Sequence, residues 1–440
     1  MMKNIYQLKL QSVFIWMAAL LGGVTFGQVY ELSTNDLLYA SGVSDNGVVV
    51  LSSNAANFMW TESGGLTTIS TISNGYDNAG NPAISNDGTK ISGTVTNPDT
   101  NLNGMGLYDV VAGTWTYLDG IGGDMDGSTA SAWSISGDGS TVVGLGWLPP
   151  GSGGNAHAVK WTQADGTIDM GSTVAGSSSR ANSVNHDGSV IVGWQDAENG
   201  SREAAIWRNG VQSLITDADG NAVSEAGAVS GDGNWVIGGG MEAWRWSEST
   251  GLQSISHPDA GMWFTGAATA ISADGSVIVG YYRPWPGAPF GGEGFIWTEE
   301  TGRVELNEYV SNLGIDDLGI TFALPLGISA DGTMIVGTGL NATGDASVAF
   351  LIKLSGDLNV SDLESSSLTY YPNPVKDILN ISSKKSIQNV SVYNMAGQQV
   401  SNNLEVSGNQ VNVSSLPSGV YVFRVKLEGN QVETFKIVKK

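Results

Sequence analysis

The chain has 440 residues, 61 of them glycine, 14 tryptophan and none cysteine, and carries a formal net charge of −23. Without cysteine, neither a disulfide framework nor a lipoprotein anchor is available, so the fold rests on its own core. The acidity is concentrated in residues 29–360, with 9 Lys+Arg against 36 Asp+Glu, whereas residues 361–440 hold 8 against 6. So acidic a body repels phosphate backbones and anionic lipid, which argues against nucleic acid and membrane surfaces as partners, and the same charge keeps an exported protein soluble.

Residues 1–27 read as a secretory signal peptide. Lys3 and Lys9 make a basic start, residues 13–21 are apolar, and Thr25-Phe26-Gly27 offers small residues where a signal peptidase cuts, before Gln28. The apolar run is shorter than the roughly 20 residues of a membrane-spanning helix, and no comparable run follows. A secreted chain with no membrane span is expected.

From residue 28 to 355 one phrase recurs: Val43-Ser-Asp-Asn-Gly47, Ile84-Ser-Asn-Asp-Gly88, Ile135-Ser-Gly-Asp-Gly139, Val184-Asn-His-Asp-Gly188, Val229-Ser-Gly-Asp-Gly233, Ile271-Ser-Ala-Asp-Gly275 and Ile328-Ser-Ala-Asp-Gly332. The aligned Asn46, Asp87, Asp138, Asp187, Asp232, Asp274 and Asp331 are 41, 51, 49, 45, 42 and 57 residues apart. A constant core with variable spacing is what loop insertions on a repeated module produce. The sixth unit reads as strands over 268–271, 277–279, 294–297 and 304–306, with turns at Asp274-Gly275 and Gly302. A third-strand ring recurs as Trp60, Trp161, Trp207, Trp246 and Trp297, with Tyr108 and Ile352 in its place in the second and seventh units. Small residues before the β-branched position (Ala83, Ser134, Ser183, Ala228, Ala270, Gly327) suit an inner strand crowded around a channel. Four strands per unit, seven times, predict an all-β seven-bladed β-propeller over 28–355. Either residues 30–32 or 358–360 would complete the last blade. A solenoid is the alternative, though no distinct capping repeats are present.

The unit resembles the HAF-type extracellular repeat, with an Ile-Asn/Ser-x-x-Gly core and a following Val-Val-Gly. The nearest match to the His-Ala-Phe stretch is His157-Ala158-Val159, ahead of Trp161. That resemblance covers 40–354 and implies export and repetition rather than a reaction. The unit departs from the sialidase Asp-box, in which a residue separates Asp from Gly.

A polar linker over 356–367 leads to a C-terminal domain, 368–440, whose alternating strands between Gly and Asn turns read as a small Ig-like β-sandwich. Tyr371-Pro-Asn-Pro374, Asp377-Ile-Leu-Asn-Ile381, Asn389-Val-Ser-Val-Tyr-Asn-Met-Ala-Gly397 and Leu416-Pro-Ser-Gly419-Val-Tyr-Val422 stand in that order. Together they closely resemble the type A sorting domain of the type IX secretion system. The resemblance implies the secretion machinery and its sortase as partners, and placement in the medium or on the outer surface of a Gram-negative cell.

No catalytic motif is present. His157, His186 and His257 share no metal-ligand spacing, and the recurring Asp before Gly is what a tight turn demands. No cofactor is expected. Calcium is a minor possibility at Asp217-Ala-Asp219-Gly-Asn221 with Glu225, and at Asp124-Met-Asp126-Gly127. The loops after the second strands carry Trp147, Trp194, Tyr281, Tyr282 and Trp285, and the connections between blades on the same face add Trp263. Rings stack on sugar faces and carboxylates accept hydroxyl hydrogens, so these six residues form a candidate ligand face, unless they pack inside their own loops. The expectation is a non-enzymatic secreted module binding an extracellular glycan or protein. The rivals are an exported polysaccharide hydrolase or lyase, and a structural surface-layer component.

Overall fold

The computed structural model describes residues 27–33, 38–72, 80–152, 155–288, 290–354, 368–371, 374–383, 386–394, 399–402, 406–407, 410–427 and 432–440. The signal peptide up to residue 26, the linker and the segment 358–360 lie outside them. The chain divides into two compact units, 1–355 and 356–440.

The first unit is a β-propeller. Seven four-stranded antiparallel sheets follow one another along the chain, at 39–71, 83–117, 130–171, 179–214, 226–255, 264–305 and 321–353. They are numbered here as blades 1 to 7. The fourth strand of blade 7 is Gln28–Ser33, which pairs antiparallel with Ser347–Lys353, so the N-terminal segment closes the last blade. Blades 5 and 6 are joined into one sheet where Gly239 and Gly240 pair with Ala267 and Gly266. A Cβ at Gly239 would run into Ala267, which is why this junction needs glycine.

Burial follows strand order. Second strands such as Val49–Ser52, Thr141–Trp147 and Val190–Asp196 are buried on both faces, which explains their unbroken apolar runs. Fourth strands such as Thr114–Tyr117 and Val211–Leu214 are largely exposed. The recurring third-strand rings pack in the cores, Trp207 without any exposed surface. The cores form between adjacent blades: one of them unites Leu38, Ala40, Val49, Leu51 and Trp60 of blade 1 with Met334, Val336, Ala349 and Leu351 of blade 7 and Leu32 of the closing strand. The sixth unit differs from its expected form after Glu305, where the fourth strand ends and a short helix, α1 (Leu306–Asn312), buries Leu306 and Val310 against Phe322 and Phe350. That insertion lies within the longest repeat interval.

Each recurring Ser-x-Asp-Gly phrase is a self-satisfied turn. In blade 6 the Ser272 hydroxyl and the Ser276 N–H and hydroxyl all donate to Asp274 Oδ1, Val277 N–H donates to Ser272 Oγ, and Gly275 takes φ +75°. Blades 2, 3 and 7 repeat the pattern around Asp87, Asp138 and Asp331. The residue between Ser (or Asn185) and the acid links the blades. Asp45 N–H donates to Asn86 O, Asn86 N–H to Gly137 O, Asp138 N–H to His186 O, His186 N–H to Gly231 O, Asp232 N–H to Ala273 O, and Ala273 N–H to Ala330 O. Asp331 N–H then donates to the Asp45 carboxylate at 3.1 Å and completes the circle. Seven turns thus form one hydrogen-bonded ring around the central axis.

These turns make stability depend on pH. Donated hydrogen bonds, from Ser85 at Asp87 and from Ser189 at Asp187, hold these two carboxyls below their ordinary range. At Asp138 and Asp274 burial, the largest single influence, pushes upward but is outweighed by the same kinds of donors. A depressed carboxylate stabilises the fold fully above its unfolded pKa, about 4, and loses that contribution as pH falls through the lower folded value. Asp274→Asn is therefore expected to melt below the wild type at pH 7, with the gap closing as the pH falls below about 4. A gap that stays constant from pH 7 to pH 2 would contradict this account of the turn.

The second unit is a β-sandwich of two four-stranded sheets. One orders Leu368–Tyr371, Ile378–Ser383, Gln410–Asn412 and Val406–Ser407; the other orders Gln399–Asn402, Ile387–Asn394, Gly419–Leu427 and Val432–Lys439. Alternate residues of the inner faces, among them Leu379, Ile381, Val390, Val392, Phe423 and Val425, are fully buried in a core of their own.

Candidate functional site

In each blade the turn between second and third strands and the connection to the next blade emerge on one face, opposite the Asp-Gly turns. The structure divides the six candidate rings among three situations on that side of the molecule. Trp263 and Trp285 are 70% and 55% exposed, and Trp285 N–H donates to Trp263 O at 2.9 Å, so the connection from blade 5 and the second-to-third-strand turn of blade 6 bring the two residues together. Arg283 lies over both Trp285 and Tyr281, with its guanidinium carbon 5.8 and 5.3 Å from the ring centroids. Tyr281 faces the central cavity. Met241 and Met262, also strongly exposed, lie in the second-to-third-strand turn of blade 5 and the connection from blade 5 to blade 6.

Tyr282 does not belong to a ligand face. It is fully buried, its hydroxyl donates to Ile255 O at 2.7 Å and accepts from Ala243 N–H at 3.0 Å, and its ring packs between Phe264, Phe295 and His257. Consecutive strand residues point to opposite faces, so Tyr281 and Tyr282 cannot both reach the cavity side. Trp194 is also withdrawn. It is 5% exposed, with Arg202 at 4.2 Å on its ring and Arg180 at 5.2 Å. Trp147 is half-buried at the end of its strand in blade 3.

The larger feature is the central channel, a cavity of about 600 Å³ bounded by the inner strands of all seven blades. Six inner strands carry a β-bulge two residues before the recurring β-branched position, at Ser41, Trp133, Asn182, Gly227, Thr269 and Leu326. The bulge turns the extra residue toward the axis, and all six line the cavity. The repeat core is constant, but this position is not, and its variation along the aligned repeats is the signal by which the channel lining can be found from sequence.

One arc of the wall, in blades 3 to 5, is chemically dense. The Arg180 guanidinium stacks on Trp133 at 3.6 Å, donates from Nε to Asn182 Oδ1 at 2.7 Å, and pairs with Glu225 Oε1 at 2.5 Å. Asn182 donates to the same oxygen at 2.8 Å, and Arg202 pairs with Glu225 Oε2 at 2.7 Å. Burial pulls Arg180 down to about 10, against the opposing pull of Glu225, which leaves it charged at neutral pH. Trp133, Asn182 and Glu225 face the cavity.

Glu225 is therefore committed elsewhere than to the loop of Asp217. The Asp217 carboxylate accepts from Asp219 N–H, Asn221 N–H and the Asn221 side chain, as an acidic turn does. Among the described residues no group of three or more His, Asp or Glu is arranged to hold a metal ion. His257 pairs with Glu293 at 2.8 Å, His157 with Asp169 at 2.8 Å, and His186 meets Asn86 at 3.4 Å.

The fold is that of a β-propeller, with two exposed tryptophans, Trp263 and Trp285, on its loop side. Residues 369–440 match the family of the secretion system C-terminal sorting domain. That domain indicates export by the type IX secretion system, to the cell surface or the medium. No helix among the described residues is long and apolar enough to cross a membrane. No curated protein matches the chain. Similar solved structures include oligogalacturonate lyase from Vibrio parahaemolyticus (12% identity, 74% of this chain and 93% of that one, TM-score 0.47). Putative TolB from Agrobacterium tumefaciens is 11% identical over 74% of this chain and 96% of its own, TM-score 0.39. The β-propeller domain of the Trilobed protease from Pyrococcus furiosus is 12% identical over 78% and 99%, TM-score 0.42.

Proposed function

We propose that the exported propeller is a binding module, not an enzyme, and that its loop face takes an extracellular glycan. The observation that carries this reading is the pair Trp263 and Trp285, each more than half exposed, with their backbones joined by a hydrogen bond. A soluble protein gains nothing for its own stability by leaving two large rings in water, whereas sugar faces stack on such rings. Arg283 lies over the Trp285 ring and, in turn, over Tyr281. The loops of the same face also carry carboxylates, Glu242 in the second-to-third-strand turn of blade 5 and Asp259 in the connection to blade 6, which suit a ligand rich in hydroxyl donors.

The test is calorimetry of the purified chain against a panel of soluble polysaccharides. Trp285→Ala is expected to weaken the binding found by about 1–3 kcal/mol, as for loss of a central aromatic contact. Because the ring is exposed, the melting temperature is expected to stay within the small range of surface substitutions. A variant that binds normally, or a panel in which nothing binds, would remove the glycan reading.

A further inference from the structure

Arg283 links the exposed platform to the channel wall, since it lies over Trp285 and over Tyr281, which lines the cavity. Gly238, Gly239 and Ala267 border the cavity beside Tyr281, so the wall between blades 5 and 6 carries almost no side chain there. Tyr281 faces that opening, and its ring is under the same Arg283 that packs on Trp285. A ligand lying on Trp263 and Trp285 would pass toward the channel by way of Arg283 and Tyr281. Glu225 stands beside Gly238 in blade 5, and Asn182 of blade 4 and Trp133 of blade 3 continue the lining from it. At the turn end Asn86 and His186 meet over Gly137, where a Cβ would touch both.

We infer that the channel receives the end of a neutral glycan chain whose following sugars lie on the tryptophan platform. This inference rests on the glycan reading above. A volume of about 600 Å³ lies within the range of small-ligand pockets, which is room for a chain end and not for a folded partner. The charge of the ligand follows from what faces the cavity. Glu225 lines it, while the two guanidiniums that pair with Glu225 do not. Among the described residues, Glu225 Oε1 accepts from Arg180 and Asn182, and Oε2 accepts only from Arg202. A carboxylate has roughly four acceptor sites, so one remains for a ligand hydroxyl. That free position accepts a hydroxyl hydrogen and offers nothing to an anionic sugar, whose charge the strongly acidic body around the channel also opposes.

Gly227 supplies the test. It occupies in blade 5 the bulge position that carries Trp133 in blade 3, its φ is not in the left-handed region, and a Cβ there first meets the Ala268 carbonyl at 3.3 Å. Gly227→Trp is designed to fill the channel with a side chain that blade 3 already accommodates, and Gly227→Leu does so with less bulk should the first variant fail to fold. The probes are maltohexaose, cellohexaose, laminarihexaose and xylohexaose, the corresponding polymers, and hexagalacturonate as the anionic comparison. The wild type is expected to bind a neutral hexamer at least tenfold more tightly than hexagalacturonate. The filled variants should lose that hexamer at least tenfold with unchanged melting, and keep the interior of the matching polymer. Trp285→Ala should weaken hexamer and polymer alike. Filled variants that bind the hexamer as the wild type does overturn the channel assignment and leave the platform standing. Preference for hexagalacturonate overturns the neutral class, and binding of nothing in the series overturns both this inference and the glycan reading beneath it.

Discussion

Removal of residues 369–440 is expected to leave the protein inside the cell envelope. The sorting domain is a separate compact unit with a core of its own, built from residues such as Leu379, Val390 and Phe423 that the propeller does not share. Its loss therefore leaves the propeller intact, and the effect falls on transport. Immunoblots of medium, surface and periplasmic fractions measure it: full-length chain outside, truncated chain in the periplasm. Equal amounts of both chains outside the cell would show that these residues are not what the export machinery reads.

A chain lacking residues 28–33 is expected to lose its cooperative unfolding transition. Val29 and Leu32 are buried, each worth about 1.5–3 kcal/mol of burial. Deletion also strips one hydrogen-bonded edge from Ser347–Lys353 and exposes Phe350 and Ile352 beside it. Those losses are comparable with the 5–15 kcal/mol that holds a typical domain together. The measurement is calorimetric melting with light scattering, which reports association through the bared edge. If the truncated chain melts as the intact one does, another segment closes blade 7, and residues 358–360, the alternative read from the sequence, become the candidate.

Much of the fold was legible because the repeat states its own rules. Asp-Gly at the turn, apolar runs on second strands and a ring on the third recur often enough to define four strands seven times, and the protein forms those sheets. What the repeat could not disclose was which side chains point at the axis. Tyr281 and Tyr282 look interchangeable in sequence, and only the pairing with Ala267 and Gly266 decides that the first faces the cavity and the second the core. Trp194 looked exposed at its strand end, yet Arg180 from the adjoining strand and Arg202 from the next cover it. In sequence, Glu225 reads as a companion of Asp217, eight residues away. Its real partners are 45 and 23 residues distant, and local spacing cannot report them. The closing strand is a similar case: residues 28–33 find their partner more than 300 residues later.

The way blade 7 is assembled also bears on mechanical load. The last propeller strand, Ser347–Lys353, is not an edge: it lies between Met334–Leu340 and Gln28–Ser33, antiparallel to both. The covalent path to the sorting domain leaves from its C-terminal end. When a cell-surface protein is held by its tail and its ligand is fixed elsewhere, tension enters the propeller along this strand. Because it is laddered on both sides, the pull runs parallel to the strand and loads two rows of hydrogen bonds in shear, all at once, instead of peeling them one after another. A tail departing from an outermost strand would have offered a single row to unzip.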